Sequence, residues 1–155
     1  MGDREAPGAQ ALDRSVRLRV FARLAETGRA PSPADLASAL GVAQPGVEDA
    51  LRRLAEARLL VLAPATANVW LAPPFAAVPS DFRVEARGRT YWATCAWDAL
   101  GVPAALGADA TIAARCADSG ADLALEVRGG ALVRGEGVVH FAVPAARWWE
   151  NLAFA

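Results

Sequence analysis

The sequence predicts an α+β chain: an N-terminal winged-helix-like three-helix domain, then a core of mainly antiparallel strands with one helix carrying Cys95 and Asp98. Three observations predict it. Helical periodicity with stop signals occurs three times before residue 60. Two short β-favouring runs, 59–62 and 68–71, follow around a turn. Beyond residue 81, short apolar runs are separated by Gly-containing turns, as in antiparallel sheets.

Residues 1–11 read as a disordered tail. Residues 12–27 carry Leu12, Val16, Leu18, Val20, Phe21 and Leu24 among arginines, a mostly helical pattern stopped by Gly28. Ser32 is placed to cap a second helix, with Pro33 at its first position and Gly41 at its end. A third helix spans about 44–57, with Val47, Ala50, Leu51 and Leu54 on its apolar face. These elements and the hairpin make a domain over 12–71, and the short turn after Gly41 fits a helix-turn-helix. Residues 72–81 hold Pro73, Pro74 and Pro79 and predict a stiff, extended linker.

The core spans 82–155. Phe82 to Val84 and their neighbours read as a strand, and Arg87-Gly88 as a turn. A helix is expected from about Tyr91 to Leu100. Strands at 111–116 and 123–127 flank a turn at Asp118-Ser-Gly120. Residues 131–133 and 138–142 are expected to pair as a hairpin, and Pro144 opens a helical turn.

Composition limits the function classes. At 54% hydrophobic and 21% charged, the chain of 155 residues is foldable and globular. No apolar run is long enough to span a membrane, and the first residues lack the apolar stretch of a signal peptide, which predicts a cytoplasmic protein. The net charge of −1 supplies no general drive toward membranes or nucleic acid. All 16 basic residues are arginines, a sign of coding bias more than of mechanism. The third helix offers Arg52, Arg53 and Arg58, but Glu48, Asp49 and Glu56 compete with them, which argues against DNA binding. Two cysteines, Cys95 and Cys116, make no disulfide framework and lack the CxxC spacing of a zinc site. Gly129-Gly130 and Gly135-Glu-Gly137 are turn glycines without the context of a phosphate loop.

The stretch Tyr91-Trp-Ala-Thr-Cys95-Ala-Trp-Asp98-Ala-Leu-Gly-Val-Pro103 carries the chemistry. A spacing of three puts Cys95 and Asp98 on one face of a helix. A soft sulfur nucleophile then neighbours a group that can hold and deliver a proton. The bland alternative is a buried structural cysteine beside a surface aspartate.

The run YWATCAWDALGVPAALG resembles the signature of the alkylmercury (organomercurial) lyase family, in which aromatic-Ala-x-Cys-Ala-x-Asp-x-Leu leads into a Pro-containing apolar run. LAPPFAAVPSDFRVEARGRT resembles the family's segment between a small winged-helix-like domain and the core, and ATIAARCADSGADLALEV resembles a later stretch holding a non-catalytic cysteine. The resemblance covers roughly 15–155. It implies carbon–mercury bond cleavage by protonolysis, with Cys95 as the mercury-binding thiolate, Asp98 as the proton donor and Cys116 as structural. It implies no organic cofactor, an organomercurial substrate, and an external low-molecular-weight thiol to remove the product.

In the family a second catalytic cysteine follows an aromatic-containing stretch, which here resembles Trp148-Trp149-Glu-Asn-Leu-Ala-Phe154-Ala155. The expected cysteine would fall at or just past the last residue, which implies a truncated or divergent member. Tyr91, Trp92 and Trp97 are candidates for lining a pocket that suits an organic group. His140, the single histidine, reads as structural, alternating with buried neighbours on a strand. Two other readings stand beside the lyase. One is a soft-metal-binding regulator that uses the winged-helix domain. The other is a lyase-fold enzyme acting on a non-mercurial substrate.

Overall fold

The chain divides between Pro73 and Pro74, into units Met1–Pro73 and Pro74–Ala155. The computed structural model describes residues 7–141 and 143–150.

In the first unit, α1 (Pro7–Thr27) buries Val16, Val20 and Leu24, one side chain per turn. Residues 7–11, expected in the tail, are helical: Pro7 is pre-set for a first helical position and Ala and Gln continue the turn. The rest of that expected tail, 1–6, lies outside the described residues.

The second helix, α2 (Pro33–Leu40), starts at a complete capping box. Ser32 Oγ accepts the Asp35 N–H at 3.1 Å, and Asp35 Oδ2 accepts the Ser32 N–H at 3.0 Å. Gly41 ends it at φ 66°, a left-handed conformation open to glycine. The third, α3 (Gln44–Glu56), buries Val47, Ala50, Leu51 and Leu54, the apolar face expected of it. Its Arg53 holds Asp13 of α1 with two nitrogens: Nη2 donates to Oδ1 at 2.6 Å, and Nε donates to Oδ2 at 2.9 Å and to Oδ1 at 3.2 Å. An antiparallel pair follows, β1 (Val61–Leu62) with β2 (Val69–Ala72).

The second unit begins with β3 (Phe75–Ala76), a short strand within the Pro-rich stretch. Next come β4 (Phe82–Ala86), β5 (Arg89–Ala93), α4 (Ala96–Leu106), β6 (Ala110–Arg115), β7 (Asp122–Arg128) and β8 (Ala131–Arg134), then a 3-10 turn at Ala145–Glu150. The strands lie in the order β3-β5-β4-β6-β7-β8, every described pair antiparallel. One residue row shows how the core is built. Val84 pairs with Tyr91 on one side and Ile112 on the other, and all three are buried. The next row, Arg83 with Trp92 and Ala113, faces the other way. The helix α4 packs on β4, β5 and β6.

Three expectations are corrected. The helix expected from Tyr91 starts at Ala96; Tyr91 and Trp92 are strand residues, because bulky aromatics with Thr90 suit a pleated surface and alternate between its faces. Residues 138–141 form no strand, and β8 pairs back onto β7 instead; Ala142 lies outside the described residues. Gly135 and Gly137 adopt φ 132° and 131°, values that interrupt an extended run before Val138. Finally, β6 stops at Arg115, so Cys116 opens the following turn.

Candidate active site

Only Thr94 and Cys95 separate β5 from α4. Cys95 therefore does not sit inside a helix, as its spacing to Asp98 suggested. It is the N-cap, with extended backbone at φ −150° and ψ 174°. Its Sγ accepts the Asp98 N–H at 3.4 Å, so the sulfur fills the place that a serine or threonine oxygen usually takes. The spacing of three still brings the pair together, by the cap rule in place of the helix-face rule.

Asp98 differs from its counterpart in α2. Asp35 folds back onto its own cap. The Asp98 carboxylate instead accepts the Thr94 hydroxyl, at 2.6 Å on Oδ2. Thr94 is a functional candidate that sequence reasoning missed. A hydroxyl four residues before an acid, just ahead of a helix start, was the available signal.

Cys95 is half-buried and free. Burial pushes its thiol above the ordinary value, and the Asp98 charge adds to this. The N–H groups of Asp98 and Trp97 and the Thr94 hydroxyl pull the other way without reversing it. The net displacement is upward, which favours the protonated thiol.

The other predicted residues separate. Tyr91 is fully buried, its ring 5.9 Å from that of Phe75, so it belongs to the core. Trp92 is half-buried in the row with Ala76 and Arg83. Trp97 is 64% exposed in the first turn of α4, beside Asp98 in sequence. Cys116 is half-buried, and Ser119 hydrogen bonds hold its thiol below the ordinary value. His140 is exposed in an irregular segment next to Val138 at 91% exposure. It does not alternate with buried neighbours: Val138 and Val139 are exposed too, and the segment is not a strand. The second thiol expected near the chain end would fall outside the described residues. Among the described residues no three His, Cys, Asp or Glu side chains gather into a metal cage.

The α+β core presents a thiol and a carboxylate at one helix start, a pair of groups able to bind a soft electrophile and to carry a proton. Comparison with known proteins gives the family. The family model described as MerB, alkylmercury lyase, matches residues 75–155, more than half of the sequence, and the chain belongs to that family. A solved structure described as the mercury-bound form of MerB2 is similar in fold, with a TM-score of 0.65 and 25% identity. The match covers 82% of this chain and 64% of that one, so this chain spans under two thirds of its length. No curated protein matches the chain.

Proposed function

We propose that the chain is a carbon–mercury lyase that cleaves an organomercurial by protonolysis, with Cys95 as the metal-binding sulfur and Asp98 as the proton carrier. The observation that carries this reading is the shared helix start, where Cys95 Sγ accepts the Asp98 N–H at 3.4 Å. Family membership supports the substrate class.

The chemistry balances without a redox change. The Cys95 sulfur forms a bond to mercury in R–Hg–X, X leaves as its anion, and the thiol proton passes to the Asp98 carboxylate. The carbon–mercury bond then breaks with its electron pair on carbon, and carbon takes the proton from Asp98. R–H departs, and mercury(II) stays on sulfur. Two external low-molecular-weight thiols carry the metal away as a mercury(II) dithiolate; one of their protons returns to the Cys95 sulfur and the other goes to solvent, balancing the anion X. No organic cofactor enters these steps. The raised thiol suits the first of them, because Cys95 arrives with the proton that the carbon later needs.

The first unit, read as winged-helix-like, serves in this proposal as a structural domain and not as a DNA reader. Arg52 is bound to Glu48 at 3.2 Å and to Asp49 at 2.7 Å, and Arg53 to Asp13, so these cations of α3 are engaged within the protein. No described helix is long and apolar enough to cross a membrane. A cytoplasmic setting, where small thiols are abundant, fits the product-release step.

The test is benzene release from phenylmercuric acetate with excess small thiol. The wild-type chain is expected to release benzene. Cys95→Ser should lose both mercurial binding and release; Asp98→Asn should keep binding and lose release. Loss of binding in Asp98→Asn would overturn the proton-carrier role.

A further inference from the structure

We infer that Thr94 is a positioning residue for proton delivery: its hydroxyl holds one oxygen of Asp98, leaving the other to carry the proton. This rests on the lyase reading above. Position 94 is one of three left open in the family pattern, the one between the alanine and the cysteine, so the resemblance assigns it no role.

The geometry is specific. Thr94 Oγ1 donates to Asp98 Oδ2 at 2.6 Å, a charge-assisted bond. No donor among the described residues contacts Oδ1. The two acids at the same helix position differ in which residue supplies the hydroxyl: Asp35 Oδ2 accepts that of its own cap, Ser32, at 2.7 Å, whereas Asp98 Oδ2 accepts that of Thr94, one residue before the cap. Asp35, with a proline two residues before it and Ser32 as its cap, turns its carboxylate back to the cap N–H. Asp98 has the same place relative to Cys95, yet its carboxylate is drawn to the residue before the cap. Released from Thr94, Asp98 would be free to fold back as Asp35 does and tie its oxygen to the backbone.

The roles divide cleanly. The thiol proton moves from Cys95 to Asp98 Oδ1 as the sulfur–mercury bond forms, and from Oδ1 to carbon as the carbon–mercury bond breaks. Thr94 keeps its own proton throughout. It fixes the direction in which Oδ1 points, and alignment of this kind accelerates a proton transfer without tightening binding.

Single-turnover benzene release from phenylmercuric acetate tests this in Thr94→Val and Thr94→Ser. Release in Thr94→Val should slow by about tenfold to a hundredfold, with one mercurial still bound per chain. Thr94→Ser, which keeps the hydroxyl, should restore the rate. Thr94 is exposed, and Thr94→Ala, which adds no bulk, should match Thr94→Val. A wild-type rate in Thr94→Val overturns the inference. A second measurement separates its failure from failure of the lyase reading. The side-chain carboxyl carbon-13 resonance of Asp98 should move in Thr94→Val and return in Thr94→Ser. If the wild type releases no benzene, the lyase reading fails and this resonance alone decides the positioning: movement with return upholds it, and no movement overturns it.

Discussion

Cys95 caps the helix that carries Asp98, its sulfur standing 3.4 Å from the Asp98 nitrogen, where Ser32 stands 3.1 Å from the nitrogen of Asp35. The same local rule thus starts two helices, once with oxygen and once with sulfur. The sulfur version brings a thiol and a carboxylate together at a helix start.

The Asp98 charge raises the Cys95 thiol, after burial as the larger cause. Removing that charge should therefore increase the thiolate fraction. Alkylation of Cys95 by iodoacetamide at pH 8 should be faster in Asp98→Asn than in the wild type. Stability carries the same sign. A thiol raised in the folded state favours the protonated fold, so its contribution is full below the ordinary value and is lost as pH rises through the raised one. Cys95→Ala should flatten the alkaline limb of the stability profile, read by urea denaturation between pH 8 and 11.

At the α2 start, Ser32→Ala removes the cap oxygen and should cost about 1 kcal/mol. Asp35 is held below its ordinary value of 3.8, first by the Ser32 side chain and then by the Ser32 backbone. Its contribution is present above that value and is lost as pH falls through the lower folded one. The stability gap between wild type and Asp35→Asn should close in acid, and thermal melts from pH 6 to pH 2 would show it.

Gly101 lies in α4 against Pro74, where an added Cβ would come 2.9 Å from the proline Cβ. Alanine improves helix propensity by about 1 kcal/mol, but the clash with a rigid ring should outweigh this. Gly101→Ala is expected to destabilise the second unit by about 1–3 kcal/mol. Pro74→Gly in the same chain should recover much of the loss, a coupling measured by a double-mutant cycle.

The Asp13–Arg53 pair joins α1 to α3 with side chains 14% and 27% exposed. Partial burial and bonding through two nitrogens set it apart from a solvated surface pair. Asp13→Ala should cost about 1–2 kcal/mol in urea denaturation. A coupling energy near zero with Arg53→Met would show the pair to be dispensable.

Much of this architecture was legible because caps and periodicity are local. Ser32, Pro33 and Gly41 marked α2, and the spacing of Val47, Ala50, Leu51 and Leu54 marked the buried face of α3. The Cys95–Asp98 pairing was legible too, though for a different physical reason than first assigned. The boundary between β5 and α4 was not. Apolar residues run from Tyr91 into the helix with little polar punctuation, and cysteine is not among the usual cap residues. Thr94 stayed hidden because its partner depends on the turn of the chain between strand and helix. The strand expected after residue 137 failed at 138–141 because Gly135 and Gly137, at φ 132° and 131°, interrupt the extended run.

The two-residue junction between β5 and α4 leaves the chain no slack. The strand β5 is held by β4 on one side and β3 on the other, and α4 rests on the sheet. Sulfur and carboxylate are mounted at the seam of two supported elements, like jaws fixed to one frame. On the proposed lyase reading, little conformational search then remains when a mercurial arrives, and ordering the site adds little to the entropy lost on binding.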